Sequence, residues 1–273
     1  MELPAPASAA ERRALPPAAQ ALAAWLGRLV GGFGRYCLLV GRAFSFPRDL
    51  RGRLYARDLA THMVRFGVDS IPIVALAAAF TGGVSTVQAI YQLENPLLPP
   101  TIVGTFVQQA MVLELGSLVT AFVLCGRVGA RIAAELGTMR VKEQIDALEA
   151  MGLSSLSYLV APRIAAGALM FPVLYILAAA VGLGASAYVA HLSPVLTAEQ
   201  FWTGARLFFR PYDIFFGLVK SVVFGFVITS IACYTGYHAR GGAEGVGTAT
   251  TRATVLACVY VLLADYVCAA LLL

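Results

Sequence analysis

Five stretches of this 273-residue chain are apolar over lengths that cross a bilayer, and polar segments separate them. A helix needs about 20 mostly apolar residues to traverse a hydrocarbon core of ~30 Å. Residues 68–92, 102–128, 160–191, 212–237 and 248–273 meet that length. The third would be a helix of ~48 Å, so it must tilt, bend or project beyond the bilayer, and Pro172 marks a place to bend.

The remaining segments differ in their polar spacing. Over residues 20–46, Arg28, Arg35 and Arg42 recur every seventh position and fall on one face, with Trp25, Leu29, Tyr36 and Leu39 on others. This predicts an interfacial helix lying on the membrane, because arginines every second turn oppose spanning. Glycines at 27, 31, 32, 34 and 41 weaken that helix, and a sixth span is the alternative. Pro47 ends the segment, and RDLRGR forms a basic connector, so residues 20–65 precede a five-span unit over 66–273. The Pro/Ala-rich residues 1–19 predict a disordered tail; no apolar run follows a basic start there, so no cleavable signal peptide is expected.

Between the second and third spans lies ELGTMRVKEQIDALEAMG, residues 135–152. Ile145, Leu148 and Met151 share one face at three-residue steps, as do Glu143, Asp146 and Glu149 on another, predicting a two-faced helix over 140–152. An idle loop would leave that apolar ridge exposed, so the pattern points to a docking element.

Composition agrees with the pattern: 59% of residues are hydrophobic, 13% are charged and mean hydropathy is +0.77, which describes an all-α polytopic membrane protein. The net charge of +5 then reports topology. Ten arginines precede the first span and five basic residues lie from Arg127 to Arg163, whereas only Arg206 and Arg210 lie in the loop after the third span. This bias places the N-terminus in the cytoplasm and, after five spans, the C-terminus outside it. It also gives the basic residues a role that does not involve nucleic acid.

Catalytic patterns are absent. Neither Lys142 nor Lys220 follows glycine, so the chain has no Walker A sequence and no ATP site of its own. His62, His191 and His238 have no ligand spacing, and Cys37, Cys125, Cys233, Cys258 and Cys268 form no C-x-x-C pair, so neither a metal site nor a disulfide framework is expected. GGAEGVGTATTR, residues 241–252, superficially resembles a phosphate cradle but follows no strand and precedes a span. A tight turn with Thr248 as helix N-cap is the expectation.

Two charges lie deep in apolar runs: Glu114, ~18 Å into the second span, and Lys220, ~12 Å into the fourth. At that depth a charge costs at least ~2.5 kcal/mol. Two readings stand, a structural salt bridge or a polar lining for an amphiphilic cargo. Asp265, near the outer end of the last span, reads as interfacial. Ala178, Gly182 and Ser186, at four-residue steps, and Gly126 with Gly129 offer faces for close helix contact, within this chain or with a second copy.

Three stretches carry a resemblance: ELGSLVTAFVLCGRVGARIAAELGTMRVKEQIDALEAMG, YLVAPRIAAG and GYHARGGAEGVGTATTRATV. They resemble the MlaE/YrbE family of ABC-transporter permeases, over roughly residues 50–273. The resemblance implies an MlaE-type fold, with an N-terminal interfacial helix and five spans, acting as a homodimer in the bacterial inner membrane. It implies phospholipid transport, linked to outer-membrane lipid asymmetry, with a cytoplasmic ATPase dimer that binds ATP and Mg, a periplasmic MCE-domain ring and in some systems a STAS-domain protein. By the same resemblance Glu143, Gln144, Ile145, Asp146, Leu148, Glu149, Met151 and Gly152 belong to the ATPase-coupling helix, and Glu114 and Lys220 line a lipid cavity. An ATP-independent carrier of lipid or hydrophobic solute is the alternative, but it calls for inverted repeats that the spans do not display.

Overall fold

The computed structural model describes residues 31, 32, 34–44, 53–93 and 99–272. The tail over 1–19, most of the basic connector and Arg28 lie outside the described residues. Within them, all regular structure is helical: α1 over 31–44, α2 (Arg53–Phe66), α3 (Ile71–Tyr91), α4 (Thr101–Ala110), α5 (Gly116–Leu124), α6 (Ala130–Val141), α7 (Gln144–Ala150), α8 (Ala161–Leu192), α9 (Ala198–Leu207), α10 (Pro211–Tyr237) and α11 (Gly242–Leu272). Among the described residues, five continuous helical stretches are long and apolar enough to span: Tyr55–Tyr91, Thr101–Val141, Leu156–Leu192, Pro211–Tyr237 and Gly242–Leu272.

These stretches run past the apolar segments read from the sequence. The second, of 41 residues, is ~62 Å long and projects beyond the bilayer through its polar C-terminal end. It carries single π-helical turns at Met111–Leu115 and Cys125–Gly129, and a third precedes α8 at Leu156–Val160. Pro172 sits inside an unbroken α8. The last span begins at Gly242, so Thr248 is not an N-cap. The turn is made instead by Gly241 and Gly242 at φ 97° and 70°, and Thr248 Oγ1 donates to the Gly245 carbonyl inside the helix.

In lipid the apolar side chains gain nothing by leaving the solvent, so association depends on close packing. Val74, Ala78, Gly82 and Thr86 form the buried stripe of α3. On α8, Ala178, Gly182, Ser186 and Ala190 are buried at the same four-residue step. The two stripes meet: a side chain at Gly82 would collide with the Gly182 carbonyl. The small-residue face of α8 is therefore satisfied within this chain. Outward-facing Leu76, Phe80 and Val84 on α3, and Leu262, Leu263 and Tyr266 on α11, remain exposed.

One end of the bundle is charged. Glu135 at the projecting end of α6 accepts from Arg131 Nε at 3.0 Å and pairs with Arg65 at 3.8 Å and Arg163 at 3.6 Å, so it ties the first three spans together. At this end α1 lies against α10: Leu39 and Ala43 are buried, the Tyr36 hydroxyl is 2.6 Å from Ser230 Oγ, and Arg35 and Arg42 face outward. The outward side of α1 also carries the exposed Leu38 and Phe44.

Candidate functional site

Inside the spans, the π-helical turn at Met111–Leu115 places Glu114 and alters the carbonyl pattern around it. The Val112 carbonyl accepts from the buried Tyr175 hydroxyl of α8 at 2.8 Å, which fixes the turn against its neighbour. Lys220 projects from α10 and is fully buried. Its Nζ donates to Glu114 Oε2 at 2.8 Å and to the Leu113 carbonyl at 3.4 Å, and lies 5.1 Å from the centre of the Phe216 ring. Asp265 of α11 completes the group, with Oδ1 2.5 Å from the same ammonium.

Asp265 is therefore not interfacial. Its depth along α11 gave no indication of its neighbour, which is set by how α10 and α11 pack. The triad draws one charged residue from each of three spans, with two carboxylates for one ammonium. Exposure separates their roles: Lys220 and Asp265 side chains are 0% and 16% exposed, whereas Glu114 is 40% exposed. An ion pair removed from solvent is destabilised strongly when one partner is lost. Lys220 with Asp265 forms such a pair, and Glu114 keeps part of its carboxylate accessible.

At the charged end the docking helix is shorter than expected. The second span continues as α6 to Val141, and Glu143, at φ 57° and ψ 14°, breaks the chain direction before the seven-residue α7. Its end is a Schellman arrangement: Leu153 N–H donates to the Leu148 carbonyl and Gly152 N–H to that of Glu149, with Gly152 at φ 79°. The role of Gly152 is thus to stop the helix.

The ridge along α7 is divided. Ile145 is buried against the body of this chain, Leu148 is half-buried, and only Met151, at 67% exposure, stands free. α7 folds back onto the spans, so Ile145 and part of Leu148 pack within this chain and Met151 is the exposed end of the ridge. Glu143, Gln144 and Asp146 are exposed. Glu149 Oε1 accepts from Ser155 Oγ at 2.6 Å and from the Tyr237 hydroxyl at 2.9 Å. Those two donors hold its carboxyl below the usual carboxylate range. Arg140 Nη1 donates to Asp146 Oδ1 at 2.7 Å, and its guanidinium lies 5.7 Å from the Tyr237 ring centre. The helix is clamped to both α6 and the end of α10, the helix that carries Lys220 ~26 Å away. Residue spacing alone does not reveal Ser155 and Tyr237 as anchors, since both are ordinary polar residues at span ends.

Comparison with known proteins agrees with this architecture. The family described as Permease MlaE matches residues 59–271. A probable ABC transporter permease protein of Rickettsia bellii is 35% identical over 239 residues, 88% of this chain and 91% of that protein. The intermembrane phospholipid transport system permease protein MlaE of Haemophilus influenzae is 34% identical over 215 residues, 78% of this chain and 82% of its own length. The chloroplastic protein trigalactosyldiacylglycerol 1 of Arabidopsis thaliana is 34% identical over 220 residues, 81% of this chain and 63% of that protein. With five apolar helices, no Walker A sequence and a family match across most of its length, the chain belongs to the MlaE permease family, the integral membrane subunits of ABC transporters.

Proposed function

We propose that this permease moves phospholipid between the inner membrane and an MCE-domain protein on its outer side, driven by a cytoplasmic ATPase dimer that binds ATP and Mg. Two copies of the chain would enclose the lipid path, with the Glu114 carboxylate in its wall and the buried Lys220, paired with Asp265, holding it from behind. The observation that carries this reading is the exposed Glu114 carboxylate, held by a buried ammonium in the middle of apolar spans. The name of the Haemophilus relative, which specifies phospholipid, supports the cargo. The basic end of the bundle supports a cytoplasmic position for α7, where Glu143, Gln144 and Met151 are exposed to meet the ATPase and Asp146, paired with Arg140, is exposed beside them.

Met151→Asp tests the docking surface better than a change at Leu148, whose half-buried side chain also packs inside the permease. The Met151→Asp protein is expected to fold with wild-type stability and to lose most of the ATPase in a co-purification. Retention of the full complement of ATPase would exclude α7 as the seat.

A further inference from the structure

At the end of the bundle opposite the charged one, a pocket of about 410 Å3 opens between α4, α8, α9 and the start of α10. That volume lies within the ~300–1,000 Å3 common for small-molecule sites. Its walls are almost entirely apolar: Val112 and the exposed Ile176 and Ala180 line the side farther along the spans, and Trp202 and Arg206 of α9 line the side at this end of the bundle. None of its lining residues belongs to the triad.

One lining residue breaks the pattern. Gln108 is 3% exposed, and among the described residues neither its Nε2 nor its Oε1 has a hydrogen-bond partner. A buried amide left without partners loses the hydrogen bonds it would make in water and gains none in return. A trapped water needs two to four polar partners, and the apolar wall supplies too few. A ligand that brings its own acceptor would relieve the cost. Arg206, exposed at this end of the bundle, makes no ion pair among the described residues.

We propose that this pocket is a second lipid site, separate from the triad, that binds one acyl chain of an anionic lipid. The chain lies along Val112, Ile176 and Ala180, a carbonyl of the ester linkage accepts from Gln108 Nε2, and the charged headgroup meets Arg206. Counted along the helices from this end of the bundle, Arg206, Gln108 and then Ala180 and Ile176 follow the order of headgroup, linkage and chain in a lipid. Binding here does not depend on transport, so the test omits the ATPase and ATP.

The full-length protein is placed in nanodiscs containing phosphatidylglycerol with a photoactivatable group in its acyl chain, and cross-linked residues are mapped by mass spectrometry. The groove between α3 and α8, about 460 Å3 and lined by Phe80 and Val84, serves as the internal control because no buried polar side chain faces it. Ile176 and Ala180 are expected to label at least fivefold more than the control groove, and Gln108→Leu and Ala180→Trp to remove that excess. Added phosphatidylglycerol is expected to raise the Tm of the wild-type protein in detergent but not that of either variant, so failure of one variant to fold leaves the other as the test. Equal labelling of pocket and groove in every protein would mean general lipid contact only and overturn the proposal. Equal labelling by a phosphatidylcholine probe would overturn the role of Arg206 and the anionic specificity.

Discussion

At the scale of single residues, the triad is an unequal set of charges. Lys220 has lost all contact with solvent and depends on its two carboxylates, while Glu114 keeps part of its surface free. Lys220→Met should leave two carboxylates together in an apolar setting and destabilise the protein by about 3–5 kcal/mol, as removal of one partner from a buried pair does. Glu114→Gln should cost far less, because Lys220 retains Asp265. Denaturant unfolding in detergent distinguishes them, and equal losses would contradict the division of roles. Exchanging the charges of residues 114 and 220 is not a clean rescue, since Glu at 220 would sit against Asp265. Glu114 and Lys220 were legible in the sequence because a charge inside a long apolar run is costly wherever it packs. Asp265 was not, since its proximity to Lys220 depends on how α10 and α11 lie side by side.

At the scale of elements, the existence of every span could be read from apolar length, and their ends could not. Helices continue into polar sequence at 135–141 and 242–247, where helix-compatible residues extend them beyond the lipid-facing segment. The π-helical turns left no sequence signal because they arise from how a helix fits its neighbours. Small residues at four-residue steps did announce a packing face, but only the fold shows that α3 fills it. A Gly82→Val substitution pushes a branched side chain into the Gly182 backbone and should destabilise by about 1–3 kcal/mol or more, as overpacking does. Gly184→Ala, on the exposed side of the same α8 with nothing within 4 Å, should be neutral or slightly stabilising. Thermal unfolding of the two variants in detergent checks the contrast; similar losses would mean that α3 and α8 do not meet through this stripe.

At the scale of the whole molecule, the charged end and the triad are joined by α10, which carries Tyr237 at one end of the clamp on α7 and Lys220 within the spans. A push on α7 by a nucleotide-driven partner would reach the triad through one continuous helix, giving a physical route from ATP hydrolysis to a change around Glu114. The role proposed for Glu114 is to serve the cargo rather than the fold. Its most direct test is lipid transfer from vesicles by the reconstituted transporter carrying Glu114→Gln, measured beside the unfolding midpoint of the same permease. A near wild-type midpoint with transfer reduced at least tenfold is expected; wild-type transfer by the folded variant would contradict this role.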